Sequence, residues 1–281
     1  MSPRIVPVLL LAPAITLATI GFLAPLAWLL GTSFVEVEAS GALTGALTVR
    51  NYQAFLMDPF TWWIVAQTVW LGVLVTALTL IASYPIALFL VRIQPKWRGV
   101  LSVLLISPLL VSSVVRTFGW MIILGDQGLL NSALLTLGLI PDAIALTNNS
   151  TGVVIALTEI LMPYMALALI SGFGRIDPVC EEAAVTLGAT PWQRFWRVTF
   201  PLSLPGVALG VLICFALAMS SFVTPQLLGG GRIFVLATEI YDSAMVSLNW
   251  PRAAVQSVFL LALLLMALAG MSKITRSIER M

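Results

Sequence analysis

GRIDPVCEEAAVTLGATPWQRFWRVTFPLSL, residues 174–204, is the longest stretch of this chain that does not read as an apolar run, and its helix punctuation is legible. Asp177 followed by Pro178 supplies an N-cap acceptor and a preset first helical φ, which predicts a helix carrying Glu181, Glu182, Ala183, Ala184 and Leu187. Gly188 can stop that helix in a left-handed C-cap. Thr190, Pro191 and Gln193 then mark a second start, with the spacing of a capping box and proline in the first turn. The second helix carries Trp192, Phe195 and Trp196 and should end near Pro201. Exposed acids and small alanines on a compact helical hairpin make a surface on which another protein can dock. The competing reading is an amphipathic hairpin lying on a membrane, with Trp192 and Trp196 in the interface.

Outward from this segment the chain is apolar in both directions. Of its 281 residues 60% are hydrophobic and 9% charged, against about 25% charged in soluble domains, so the chain is a membrane protein. Six stretches, residues 9–33, 61–91, 99–120, 151–173, 205–225 and 253–272, are each long enough to cross roughly 30 Å of hydrocarbon. The expected fold is an all-α polytopic membrane protein of six transmembrane helices in a single domain, 1–281. The uncharged run that begins at Ile5 exceeds a signal-peptide core of about 7 to 15 residues, so it reads as a retained span. Basic residues prefer the cytoplasmic side of short loops. With both termini cytoplasmic, Arg4, Arg92, Lys96, Arg98, Arg175, Arg194, Arg197, Lys273, Arg276 and Arg280 all fall inside, ten of the fourteen. Arg50, Arg116, Arg232 and Arg252 then lie outside or at span ends, where long side chains reach the headgroups.

Several chemistries are excluded. The chain has no histidine, hence no Ser-His-Asp or Cys-His catalytic unit and no HExxH zinc site. Cys180 and Cys214 are too few for a disulfide framework or a Cys-rich metal site. No G-x-x-x-x-G-K-[ST] occurs, so no P-loop cradles a nucleotide here.

Glu182, Ala183, Ala184, three residues, Gly188, nine residues, then Val198-Thr199-Phe200-Pro201 resembles the EAA motif, EAA-x3-G-x9-I-x-L-P, of ABC importer permeases. Val198 and Phe200 replace the usual Ile and Leu and stay apolar. The likeness covers most of the chain and is greatest to the first permease subunit of spermidine/putrescine-type importers. Asn51-Tyr52-Gln53-Ala54-Phe55-Leu56, Arg116-Thr117-Phe118-Gly119-Trp120, Phe222-Val223-Thr224-Pro225 and Leu228-Gly229-Gly230-Gly231-Arg232 support it less specifically. The resemblance implies a type I importer permease in a bacterial inner membrane. Its partners would be a second permease subunit, two ATPase subunits and a periplasmic substrate-binding protein, in a lipid bilayer and without nucleic acid. Glu181, Glu182, Ala183, Ala184, Gly188 and Pro201 would then couple the chain to the ATPase. No cofactor is expected on this chain, ATP and Mg being held by the ATPase, and the chain would not itself be an enzyme. Polyamine is the implied cargo; thiamine, iron and phosphonate permeases resemble this pattern too, and an ion-coupled secondary transporter is the alternative of another class.

Glu159 is the one acid well inside a span, and intramembrane acids face an aqueous or protein interior. Two readings stand beside each other: a way-station for a polyammonium cargo, with Tyr164 beside it, or a locally hydrogen-bonded carboxyl packed between helices. Glu239 and Asp242 are three residues apart and would share a helix face, with Tyr241 nearby. They suit a cation or its binding protein, or form a solvated face.

Overall fold

Membrane-spanning backbone must satisfy its own polar groups, which favours long helices, and helices dominate the computed structural model, which describes residues 5–37 and 43–278. In chain order these are α1 (Ile5–Ser33), a two-stranded hairpin of β1 (Val35–Val37) and β2 (Leu43–Leu47), α2 (Arg50–Met57), α3 (Pro59–Arg92), α4 (Pro95–Ile106) with a 3₁₀ turn Ser107–Leu110, and α5 (Ser113–Leu124). There follow α6 (Leu129–Thr136), α7 (Ser150–Phe173), α8 (Pro178–Thr186), α9 (Pro191–Arg194) with a π turn Phe195–Thr199, and α10 (Phe200–Met219). The chain closes with α11 (Val223–Leu228), α12 (Leu236–Tyr241) with a π turn Asp242–Val246, and α13 (Trp250–Ile278). Arg4 and Arg280, used above for orientation, lie outside the described residues.

Among the described residues five helical stretches are long and apolar enough to cross a membrane, and a bent pair makes a sixth. That pair corrects the expected third span. Instead of one helix over 99–120, Pro95–Leu110 and Ser113–Thr136 meet at 97°. Pro108 lies in the 3₁₀ turn, and the Ser112 hydroxyl caps α5 by accepting from the Val114 N–H at 3.3 Å, so one element ends and another begins inside the apolar run. The fifth span also shifts: α10 stops at Met219, where Ser220 and Ser221 close a turn, instead of running to Pro225.

The second hairpin helix does not end near Pro201 either. It continues through the π turn into α10 as one stretch, Pro191–Met219. Proline removes a hydrogen bond and its ring crowds the carbonyl four residues back. The wider turn just before Pro201, closed by the Phe200 N–H on the Phe195 carbonyl, makes room for it.

Two compact units emerge. The first joins the described part of 1–63 to 239–262. In it β1 pairs antiparallel with β2 around a bulge, Val35 opposite Leu47 and Val37 opposite Leu43, a small strand element that the all-α expectation lacks. Asn51 Nδ2 donates to the Ser33 and Val35 carbonyls at 3.0 and 2.9 Å, and the Ser33 and Tyr52 hydroxyls meet at 2.8 Å, fixing the end of α1. Phe259 packs on Phe55 and, edge-on, on Trp62.

The second unit, 64–238 with the described part of 263–281, is organised on α7. In the most apolar window of α7, 61% is buried, against 33% for α3, so α7 carries the core, with Val153, Ala156, Met165 and Leu169 fully enclosed. Helices in lipid lack a hydrophobic drive to associate and gain instead from close packing at small residues. Gly172 of α7 and Gly206 of α10 supply it: a Cβ on Gly206 would stand 2.7 Å from the Gly172 Cα, and one on Gly172 2.6 Å from the Gly206 Cα. On α10 the next position of the Gly206-x-x-x-Gly210 pair faces the Met165 sulfur. Gly206→Ala is therefore expected to cost about 1–3 kcal/mol, because two backbones must separate. Gly210→Ala should cost less, because a methionine side chain can yield. Thermal unfolding of the two detergent-solubilised variants checks the order; equal losses would contradict it.

Candidate coupling hairpin and membrane ion pair

The caps that the sequence announces are all present in the hairpin. Asp177 accepts from the Val179 N–H at 3.0 Å, and Pro178 opens α8. Gly188 takes φ +80°, the Ala189 N–H reaches the Ala184 carbonyl at 3.0 Å and the Gly188 N–H the Val185 carbonyl at 2.9 Å. This is a complete Schellman motif. A Cβ on Gly188 would meet nothing within 4 Å, so glycine is required there by backbone angle and not by space. Thr190 and Gln193 close a reciprocal capping box at 3.3 and 3.0 Å.

This punctuation sets what the hairpin shows. Glu182 and Ala183 are exposed and Ala184 half-buried. Leu187 is 87% and Trp192 71% exposed, so the turn presents apolar groups beside the acid. Glu181 points the other way. Its carboxylate accepts from Arg92, the last residue of α3, at 2.9 and 3.1 Å, and from the Thr199 hydroxyl of the π turn at 2.7 Å. Burial pushes the Glu181 carboxyl up, but the Thr199 hydroxyl, the Arg92 guanidinium and the more distant Arg194 charge outweigh it and hold the group below its ordinary value. A depressed native pKa stabilises the fold above the ordinary carboxylate range, and that contribution fades as pH falls through the lowered value. Under the hairpin, Tyr84 of α3 stands edge-on to Phe173 and Phe195 and meets the Ser203 hydroxyl at 2.9 Å. Pro201, expected among the coupling residues, is in the continuous helix entering α10.

Glu159 on α7 is engaged on both carboxylate oxygens: Arg116 of α5 donates to Oε1 at 2.7 Å and the Trp120 indole to Oε2 at 3.0 Å. The cause begins with Pro163. It has no N–H, so the carbonyl of Glu159, four residues back, loses its helical donor. Arg116 donates there as well, at 3.3 Å, and reaches the Pro108 carbonyl of the broken span at 3.5 Å. One guanidinium thus serves a carboxylate and two backbone carbonyls. Arg116 is 10% exposed, and so it is not a span-end residue reaching for headgroups; Glu159 is 36% exposed. Tyr164 lines a separate cavity of about 250 Å³ with Ser113, Ser220, Ser221 and Thr224.

Glu239 is taken up by Arg252 at 3.0 Å, so this arginine too is paired within the protein. Asp242 begins the π turn and is half-buried, beside an exposed Tyr241. Among the described residues no group of three or more His, Cys, Asp or Glu side chains could hold a metal ion.

Sequence reasoning missed Arg92, Thr199, Arg116 and Trp120. An arginine inside an apolar run, Arg116, is the signal that could have found one of these pairs, since a membrane charge needs an opposite charge.

Residues 83–275 match the family model described as a binding-protein-dependent transport system inner membrane component. The chain is 33% identical over 239 residues to the spermidine/putrescine transport system permease protein PotB of Haemophilus influenzae, covering 84% of this chain and 82% of that one. It is 31% identical over 196 residues to the molybdenum transport system permease protein ModB of Mycobacterium bovis, covering 70% and 71%. A crystal structure of a bacterial ABC transporter involved in the import of the acidic polysaccharide alginate shares the fold, with a TM-score of 0.76 at 17% identity over 95% of this chain and 94% of that chain.

Proposed function

The chain belongs to the family of binding-protein-dependent transport system inner membrane components, and from that premise we propose that it carries a polyamine-like organic cation from a periplasmic binding protein into the cytoplasm. It is a permease subunit of an ABC importer, a transport component and not an enzyme. On our reading the hairpin lies in the cytoplasm with both termini. ATP and Mg are bound by two separate ATPase subunits, a second permease completes the pathway, and closure of the ATPase pair tilts the helices by rigid-body motion.

The observation that carries the coupling role is the exposed Glu182-Ala183 face, with Ala184 half-buried behind it, ahead of a Schellman turn. The cargo rests on the 33% identity to PotB over most of both chains. Glu159 gives the cargo no independent support, because Arg116 neutralises it. Tyr164, Glu239, Tyr241 and Asp242 remain candidate pathway residues, with Glu239 already bound to Arg252. A molybdenum-containing cargo is the second reading, favoured by the 31% identity to ModB, a molybdenum transport system permease.

Purification of the tagged chain from its native membrane in mild detergent tests both parts. A P-loop ATPase is expected to come with it, and cells lacking the chain should lose uptake of labelled spermidine or putrescine. Recovery of the chain alone, active in proton- or sodium-driven uptake, would overturn the importer mechanism. Loss of molybdate uptake with polyamine uptake intact would overturn the cargo.

A further inference from the structure

Two of the spans in the second unit are joined to the hairpin by the chain itself: α7 leads into it and α10 leaves it as an unbroken helix. The second span, α3, has no such connection, yet it touches the hairpin assembly at two levels. Tyr84 seats against Phe173, Phe195 and Phe200 and meets the Ser203 hydroxyl. Arg92, eight residues or about 12 Å further along the helix, holds the Glu181 carboxylate. Two attachments separated along an axis fix the direction of a helix as well as its position.

Glu181 is placed for this by helix geometry. Successive residues of an α-helix project about 100° apart, so Glu182 faces outward from α8 while its neighbour turns back toward the protein. There Glu181 gathers three elements at one carboxylate: α3 through Arg92, α8 through its own backbone, and the π turn through the buried Thr199 hydroxyl. An isolated surface ion pair contributes little, whereas a shared, partly buried network holds its geometry.

We infer that Glu181 is a positioning residue that clamps the hairpin to the end of the second span, so that displacement of the hairpin drives α3 together with α7 and α10. The inference rests on the importer reading for its transport consequence, but the clamp is a property of this chain alone. Charge reversal and swap test it. In the assembled importer in proteoliposomes, Glu181→Arg and Arg92→Glu are each expected to lower uptake per ATP hydrolysed about fivefold or more, the lower end of ordinary allosteric couplings, with the ATPase still bound. The double variant R92E/E181R restores the ion pair and should exceed both single variants, a recovery that loss of fold would not show. Wild-type uptake per ATP in either single variant, or a double variant no better than the singles, would overturn the clamp.

A second readout uses the detergent-solubilised chain without partners. Trypsin should cleave the hairpin at Arg194 and Arg197 faster in each single variant and more slowly again in the double. Unchanged cleavage in the singles would overturn the clamp. Should the wild-type chain bring down no ATPase, the importer reading falls, and cleavage still decides the clamp.

Discussion

Glu159→Leu is expected to lower the unfolding free energy of the detergent-solubilised chain by about 2 kcal/mol, because removing the more exposed member of a partly buried ion pair strands the more enclosed one. The charge left behind is Arg116, 10% exposed and held among α5, α7 and the broken span. It would keep its bonds to the Glu159-position and Pro108 carbonyls, neutral acceptors that do not balance a cation. Arg116→Leu should cost less, because the Glu159 carboxylate is 36% exposed and keeps the Trp120 indole. R116L/E159L should recover much of the loss, since a well-packed apolar pair replaces an ion pair at little cost. Thermal unfolding of the three variants decides the matter. Equal stability of Glu159→Leu and wild type would show that the pair holds nothing. A double variant as unstable as the worse single would place the cost in packing instead.

Glu182→Arg is expected to act in the opposite way, leaving the chain folded and inserted while abolishing transport. Glu182 is exposed and makes no ion pair among the described residues, so its reversal breaks none of the ion pairs described above. At a docked interface, a charge of the wrong sign costs about 2 kcal/mol or more, equivalent to roughly thirtyfold in affinity. Co-purification of the ATPase should fall by at least that factor and uptake with it, at an unchanged unfolding temperature. Normal transport by this variant would remove the hairpin from the coupling path. The contrast with Glu181 is informative: two adjacent glutamates, one turned outward to a partner and one inward to Arg92, should differ in whether the ATPase stays bound.

The fold was legible wherever it depends on local sequence. Span lengths follow from apolar runs, so α3 and α7 begin and end within two residues of the expected limits. The hairpin caps follow from Asp177, Gly188 and the Thr190–Gln193 box, each a contact across a few residues. What escaped depends on distant partners or on competition between similar signals. Prolines at 85, 108, 163 and 205 look alike in an apolar run. Pro163 and Pro205 lie inside continuous helices while Pro108 sits in a turn between two. Ser112, able to cap a new helix, makes the difference. Arg116 and Glu159 are 43 residues apart, and Arg92 and Glu181 are 89 apart, so neither pair has a local signature. Pro201 read as a stop because a π turn that accommodates it leaves no compositional trace.

The Gly172–Gly206 contact and the Glu181–Arg92 clamp hold neighbouring parts of one assembly by forces of different range. The first is backbone against backbone, with no charge in it, and ionic strength leaves it untouched. The second is an ion pair whose arginine is 44% exposed, within reach of counterions that screen charges over about 8 Å at physiological salt. High salt would therefore slacken the link to the second span while α7 and α10 stay locked, so the tightness of coupling, unlike the integrity of the bundle, follows the salt content of the compartment that bathes the hairpin.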